Sequence, residues 1–289
     1  MSAPKVRPRT VSPRRDTPPR RSRGSSWQSW LAMLVTAVGA FIIVVATERE
    51  VSLASREPAP SAGPTSPVAE TSVPLPSPTA SPSPSAPLLR MPGPVPSAGS
   101  GTFAYAEGDG EVLGTSGTLR RYRVAVEKGS GVDVEEFAEA VDRALGDPRS
   151  WIASGRLRLQ RVPDGSRHDF TIYLATARTA GRMCAEGGID IRVGGKPYTS
   201  CRVSGRVIIN LDRWHLSVDH LVEQGVPLAT YRDYVINHEV GHELGHGHEG
   251  CPGRGKLAPT MMQQTLYLDG CVANPWPYLD GKRYAGPPR

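Results

Sequence analysis

No two of the four cysteines stand in a C-x-x-C pair, and all four lie beyond residue 100. That spacing disfavours a zinc-thiolate site. It suits disulfides in an oxidising compartment, where four cysteines allow three pairings. Cys184 with Cys201 and Cys251 with Cys271 are preferred, since each pair closes a short local loop. A phosphate loop is also missing. The glycines around Gly187 and Gly194 lack the strand-turn-helix spacing and the Lys-Ser/Thr that cradle a nucleotide. No aromatic residue precedes Trp27. The basic amino terminus therefore has nothing to stack on a base, and nucleic acid is not an expected partner.

The charge is unevenly spread. Residues 1–29 carry eight Lys/Arg against Asp16 alone, while the whole chain is only +6, so the remainder is close to neutral. Residues 30–46 have no charge at all. A helix of that length rises about 25 Å, at the short end of what crosses a hydrocarbon core of about 30 Å. The expectation is a single-pass anchor over residues 30–47, with the Arg-rich tail cytoplasmic and the rest of the chain outside. A cleaved secretion signal is the alternative, and would make the protein secreted. Residues 58–98 contain thirteen prolines among Ser, Ala and Thr. Too few apolar side chains are present there to offset the entropy of ordering, so residues 48–99 read as a spacer. Residues 100–289 are left as one extracellular domain with enough chain for a substantial core.

Within that domain residues 118–127, 156–162, 169–176 and 205–214 alternate as strands do. Residues 132–147 switch to helical period, with Val134, Phe137, Ala138, Val141 and Leu145 on one face and Asp133 and Glu136 as a capping box. The glycine-rich stretch 181–201 reads as loop with one short strand. Two or three helices after a small sheet define the class as α+β or a compact three-layer arrangement.

Four of the seven histidines fall in NHEVGHELGHGHEGC, residues 237–251. Residues 227–245 read as one helix, capped by Thr230 with Asp233 as its acidic partner. His238 and His242 are one turn apart, and both rings can reach one metal ion at about 2.0–2.1 Å. Glu239, next to the first of them, is placed to take a proton from a water in the site without ligating. His246 on a continuing helix would stand about 12 Å along the axis from His238. Two nitrogens sharing one zinc are only about 3–3.5 Å apart. Gly245 and Gly247 offer a break in the helix, after which His248 can swing back as the third ligand. His248 is thus preferred to His246, which would orient neighbouring groups or face solvent. Glu243 and Glu249 read as solvated or supporting residues. An incidental histidine strip predicts neither the Glu after His238 nor the Gly at the bend.

The string from His238 to His248 matches H-E-x-x-H-x-x-G-x-x-H, and it resembles the metzincin metalloproteases. The resemblance implies zinc held by His238, His242 and His248, Glu239 as general base, and a methionine turn, for which Met261 is preferred over Met262. It also implies an upper sheet subdomain, an irregular lower one, and a substrate that pairs with the sheet's edge strand. The strings YRDYVINHEVGHELGHGHEGC, APTMMQQT and CVANPWP are similar to an actinobacterial group known as DUF3152. The resemblance to that group covers residues 100–285. No propeptide cysteine switch is recognisable. The expected function is a zinc endopeptidase outside the membrane, acting as a monomer on a peptide or protein substrate, with cell-wall-associated protein among the candidates. A metal-stabilised binding module without catalysis, and zinc hydrolysis of peptidoglycan cross-links, are the alternatives. Tyr267, Trp276 and Tyr278 are expected to line the cleft or pack in the core.

Overall fold

A computed structural model describes residues 86–289. The basic tail, the apolar run at 30–46 and most of the spacer lie outside the described residues. Among the described residues no helix is long and apolar enough to cross a membrane. The chain runs through β1 (Phe103–Tyr105), β2 (Val112–Leu113), β3 (Thr118–Glu127) and α1 (Val134–Gly146). A 3-10 turn at Trp151–Ser154 leads to β4 (Leu157–Arg161), β5 (Phe170–Ala175) and α2 (Ala177–Glu186). The hairpin β6 (Arg192–Val193) and β7 (Lys196–Pro197) precedes β8 (Cys201–Val203) and β9 (Arg206–Asn210). Then come α3 (Leu211–Leu216), α4 (Asp219–Glu223) and α5 (Leu228–Glu243). A last hairpin, β10 (Tyr278–Leu279) and β11 (Lys282–Arg283), sits in an otherwise irregular carboxy-terminal region.

The class is α+β with a mixed seven-stranded sheet, ordered β2-β4-β3-β5-β9-β8, with β1 also paired to β3. Strands β4, β3, β5 and β9 are mutually parallel, and β8 closes one edge antiparallel to β9. Parallel neighbours need long crossovers, so the helices interleave with the strands instead of following them as a block. Alternation along the strands divides the buried side chains between two faces. Val124, Ile172, Val207 and Ile209 join the main core with Phe137, Val141, Tyr231 and Val240 of α1 and α5. Ile208 and Ala175 face the other way, onto Ala180, Met183 and Cys184 of α2.

Several sequence expectations change in detail. Residues 177–186, read in part as loop, form α2, because Ala177, Ala180, Met183 and Cys184 repeat at helical spacing on the sheet. Gly181 concealed this signal. It is required there, since a Cβ would stand 2.8 Å from Pro197 Cγ of the hairpin. The strand expected to reach residue 214 stops at Asn210, whose side chain accepts from Asp212 N–H and caps α3. Helix α5 begins at Leu228 with no side-chain cap, so Thr230 lies inside its first turn. In α1 only half of the capping box forms: Asp133 accepts from the N–H groups of Glu135 and Glu136.

The domain also starts earlier than residue 100. Leu88 O accepts from Leu228 N–H at 2.8 Å, Met91 N–H donates to His215 O at 2.8 Å, and Ser97 O accepts from Arg178 N–H at 3.0 Å. An extended Pro-rich segment has no internal hydrogen bonds, and here its free backbone groups are satisfied by the domain. Both disulfides form as expected, Cys184–Cys201 and Cys251–Cys271. Trp276 is buried, with the Arg149 guanidinium over its ring, and Tyr267 and Tyr278 pack against the core.

Candidate metal centre

Helix α5 is buried on nearly every side, so its polar groups have to find partners within the protein. Asn237 accepts from Ser150 Oγ, and its carbonyl accepts from Trp151 Nε1. The helix ends as the glycine spacing predicts. Gly245 is left-handed at φ 94°. Its N–H donates to His242 O, and the following N–H of His246 donates back to Gly241 O at 3.0 Å. This paired closure is the Schellman arrangement, which glycine permits at low cost.

Beyond the turn the chain folds under the helix. His242 Nε2 lies 3.2 Å from His238 Nε2 and 3.1 Å from His248 Nε2. These contacts are not hydrogen bonds. His238 Nδ1 is 2.8 Å from Thr260 O, and His242 Nδ1 is 2.8 Å from His246 O. A carbonyl oxygen only accepts, so both Nδ1 atoms carry the proton and both Nε2 atoms present bare lone pairs. Burial and the neighbouring rings hold His238 neutral, lowering its pKa to about 3; His242 and His248 are lowered by burial as well. Converging neutral lone pairs repel one another unless a cation lies between them. Ligand bonds of about 2.0–2.1 Å in tetrahedral geometry require nitrogens about 3.3 Å apart. The observed separations fit, and the three rings can hold one metal ion.

Glu239 lies on the same cleft and is 6% exposed, yet it makes no hydrogen bond to a described residue. Burial alone pushes its carboxyl up to about 8. A cation held by the three rings would act the other way, favouring the carboxylate.

The supporting residues were only partly anticipated. His246 stands apart from the three-ring cluster, as expected: it is exposed, its ring stacks on Trp151 at 4.3 Å, and its carbonyl orients His242. Glu243 is not solvated. It is buried between Arg120 at 3.2 Å and Arg202 at 2.7 Å, fastening α5 to β3 and β8. Glu249 is likewise held, by Arg283 at 2.6 Å and Gly286 N–H. The carboxy-terminal segment continues this brace, Arg289 N–H donating to His248 O. Met261 and Met262 are both fully buried. The Met261 sulfur packs against Gly241, which lies between His238 and His242 in sequence, whereas Met262 offers its carbonyl to Tyr234 Oη.

The cleft above the rings has a volume of about 560 Å³. Its walls include Cys201 and Arg202 of edge strand β8, Ile189 and Ile191 of the hairpin segment, and Gln263 and Leu266 from below. Nothing local in the sequence marked Arg202 or Trp151. Their partners are 41 and 86 residues away, in Glu243 and Asn237.

The fold and site together define an α+β domain with a three-histidine, metal-competent cleft. The chain belongs to the family described as "Protein of unknown function (DUF3152)", whose model matches residues 89–279. No curated protein and no solved structure matches it.

Proposed function

We propose that the protein is a metzincin-like zinc endopeptidase acting outside the membrane. The observation that carries this reading is the set of three converging Nε2 atoms beside the unpaired, buried carboxyl of Glu239 in an open cleft. Neutral imidazoles suit zinc, and three protein ligands leave the open fourth position of a catalytic site. Zinc supplies Lewis acidity there, polarising a carbonyl and acidifying water.

The chain's own residues do the rest. Glu239 takes the proton of the attacking water and returns it to the leaving amine. Thr260 O and His246 O fix the ring orientation of His238 and His242 through their Nδ1–H groups. Met261 is assigned as the methionine of the turn below the ligands. Strand β8 exposes one backbone edge along the cleft, so an extended peptide can add to the sheet with its scissile bond near Glu239. Two disulfides favour an oxidising compartment, in keeping with a domain outside the membrane.

The test is turnover of an unstructured-peptide library by the protein and by Glu239→Gln. The wild type is expected to cleave, to stop on chelation and to recover with zinc. The variant is expected to keep its metal and lose turnover by about a hundredfold or more. Undiminished cleavage by Glu239→Gln defeats the assignment of the base. A metal-loaded wild type that cleaves no peptide defeats the peptidase reading. Release of fragments from purified peptidoglycan in that case favours the cross-link hydrolase instead.

A further inference from the structure

A second cavity, of about 550 Å³, lies between α2 and the hairpin segment. It shares Ile189, Asp190, Ile191 and Arg192 with the metal cleft, so one stretch of chain is the common wall. Arg178 and Arg182 of α2 line it one helical turn apart, and neither has an ion-pair partner among the described residues. The one carboxylate in its lining, Asp190, is already engaged by Arg192 through two contacts of 2.9 Å. Three guanidiniums therefore face a single carboxylate that is spoken for. Like charges at this spacing slightly destabilise a helix, so the pair contributes nothing to α2 on its own.

We propose that this cavity is an anion subsite, in which Arg178 and Arg182 receive an acidic side chain of the peptide lying in the metal cleft. The inference rests on the peptidase reading and deepens it. Guanidinium groups pair with carboxylates through two parallel hydrogen bonds, and the cavity leaves ample room for a Glu or Asp side chain. A peptide source follows from the wall: Ile189 and Val193, 36% and 48% exposed, give an extended chain an apolar crest to cross. The Cys184–Cys201 bond joins α2 to β8 and keeps the two cavities in fixed relation. Gly181 lets Pro197 of the hairpin close against the helix in the wall of this second cavity.

The experiment compares metal-loaded full-length protein on peptides that differ only in Glu or Gln, scanned across the cleavage site. One position is expected to favour Glu by about tenfold in kcat/KM, the worth of one charge-assisted contact. The preference should fall towards unity in Arg178→Gln/Arg182→Gln. In Arg178→Glu/Arg182→Glu it should reverse towards Gln, a change of sign that a misfolded variant cannot imitate. Absence of an acidic preference at every position overturns the subsite, and so does a preference that survives the Gln pair. If the wild type cleaves none of the peptides, the peptidase reading fails, and the subsite is then judged by fluorescence anisotropy of the same peptides. Tighter binding of the Glu peptide that is lost in the Gln pair supports the subsite. Equal binding of both peptides, or binding of inorganic phosphate alone, overturns it.

Discussion

Gly241→Ala is the most discriminating single change in α5. In an ordinary helix interior this substitution stabilises by about 1 kcal/mol, because alanine loses less backbone freedom on folding. Here a Cβ would overlap the Met261 sulfur and stand 2.6 Å from Trp151 Cζ2. The thioether can turn aside, but the indole cannot. Its Nε1–H is tied to Asn237 O, and its face is stacked on His246. Overpacking of this kind costs about 1–3 kcal/mol, and the upper end applies where a ring must move. After the helix gain is subtracted, the expected net loss is about 1–2 kcal/mol. Moving Trp151 also moves His246, whose carbonyl holds His242, so metal affinity should fall with stability. Urea unfolding and a metal-binding titration read the two effects separately. Met261→Ala in the same chain should recover part of the overpacking term, making the double variant less unstable than the two losses added. A Gly241→Ala protein that unfolds later than wild type and binds metal as tightly would refute the close packing of Met261 and Trp151 on this helix.

Glu243→Gln removes the counter-charge that Arg120 and Arg202 share; with both arginines partly open to water, the expected cost is about 1–3 kcal/mol, read by urea unfolding. The same variant should weaken substrate binding, because Arg202 lines the cleft. Burial raises Asp233 to about 6, so it binds a proton in the folded state before the unfolded chain does. Its ionisation therefore destabilises the protein fully above about pH 6, and the effect disappears as pH falls towards the ordinary carboxylate value near 4. Asp233→Asn should exceed wild type by about 1–2 kcal/mol near pH 8 and match it near pH 4, in denaturant melts run side by side.

Much of this structure can be read from local pattern. Period-two alternation marks β3, β4 and β5 to within a residue or so, and helical period marks α1. The bend at Gly245 and the return of His248 follow from glycine's conformational range and the short distance between ligands on one ion. The disulfides follow from loop length. Features that escaped depend on distant chain. Glu243 looks like a solvent-facing helix residue until β3 and β8 bring Arg120 and Arg202 to it, across 123 and 41 residues. His246 looks like a competing ligand until Trp151 takes its ring. Residues 88–97 have the composition of a spacer, but their backbone groups complete those of α5, α2 and His215. Composition alone carries no information on such pairing.

The central claim is that His238, His242 and His248 grip one zinc ion and leave a position open to solvent. X-ray absorption at the zinc edge on the zinc-loaded protein tests it directly. One zinc per chain is predicted, with three imidazole nitrogens and one light, non-histidine ligand at about 2.0–2.1 Å, and with the signal lost in His248→Ala but kept in His246→Ala. A sulfur ligand, a fourth protein ligand, or failure of the protein to hold stoichiometric zinc would contradict it.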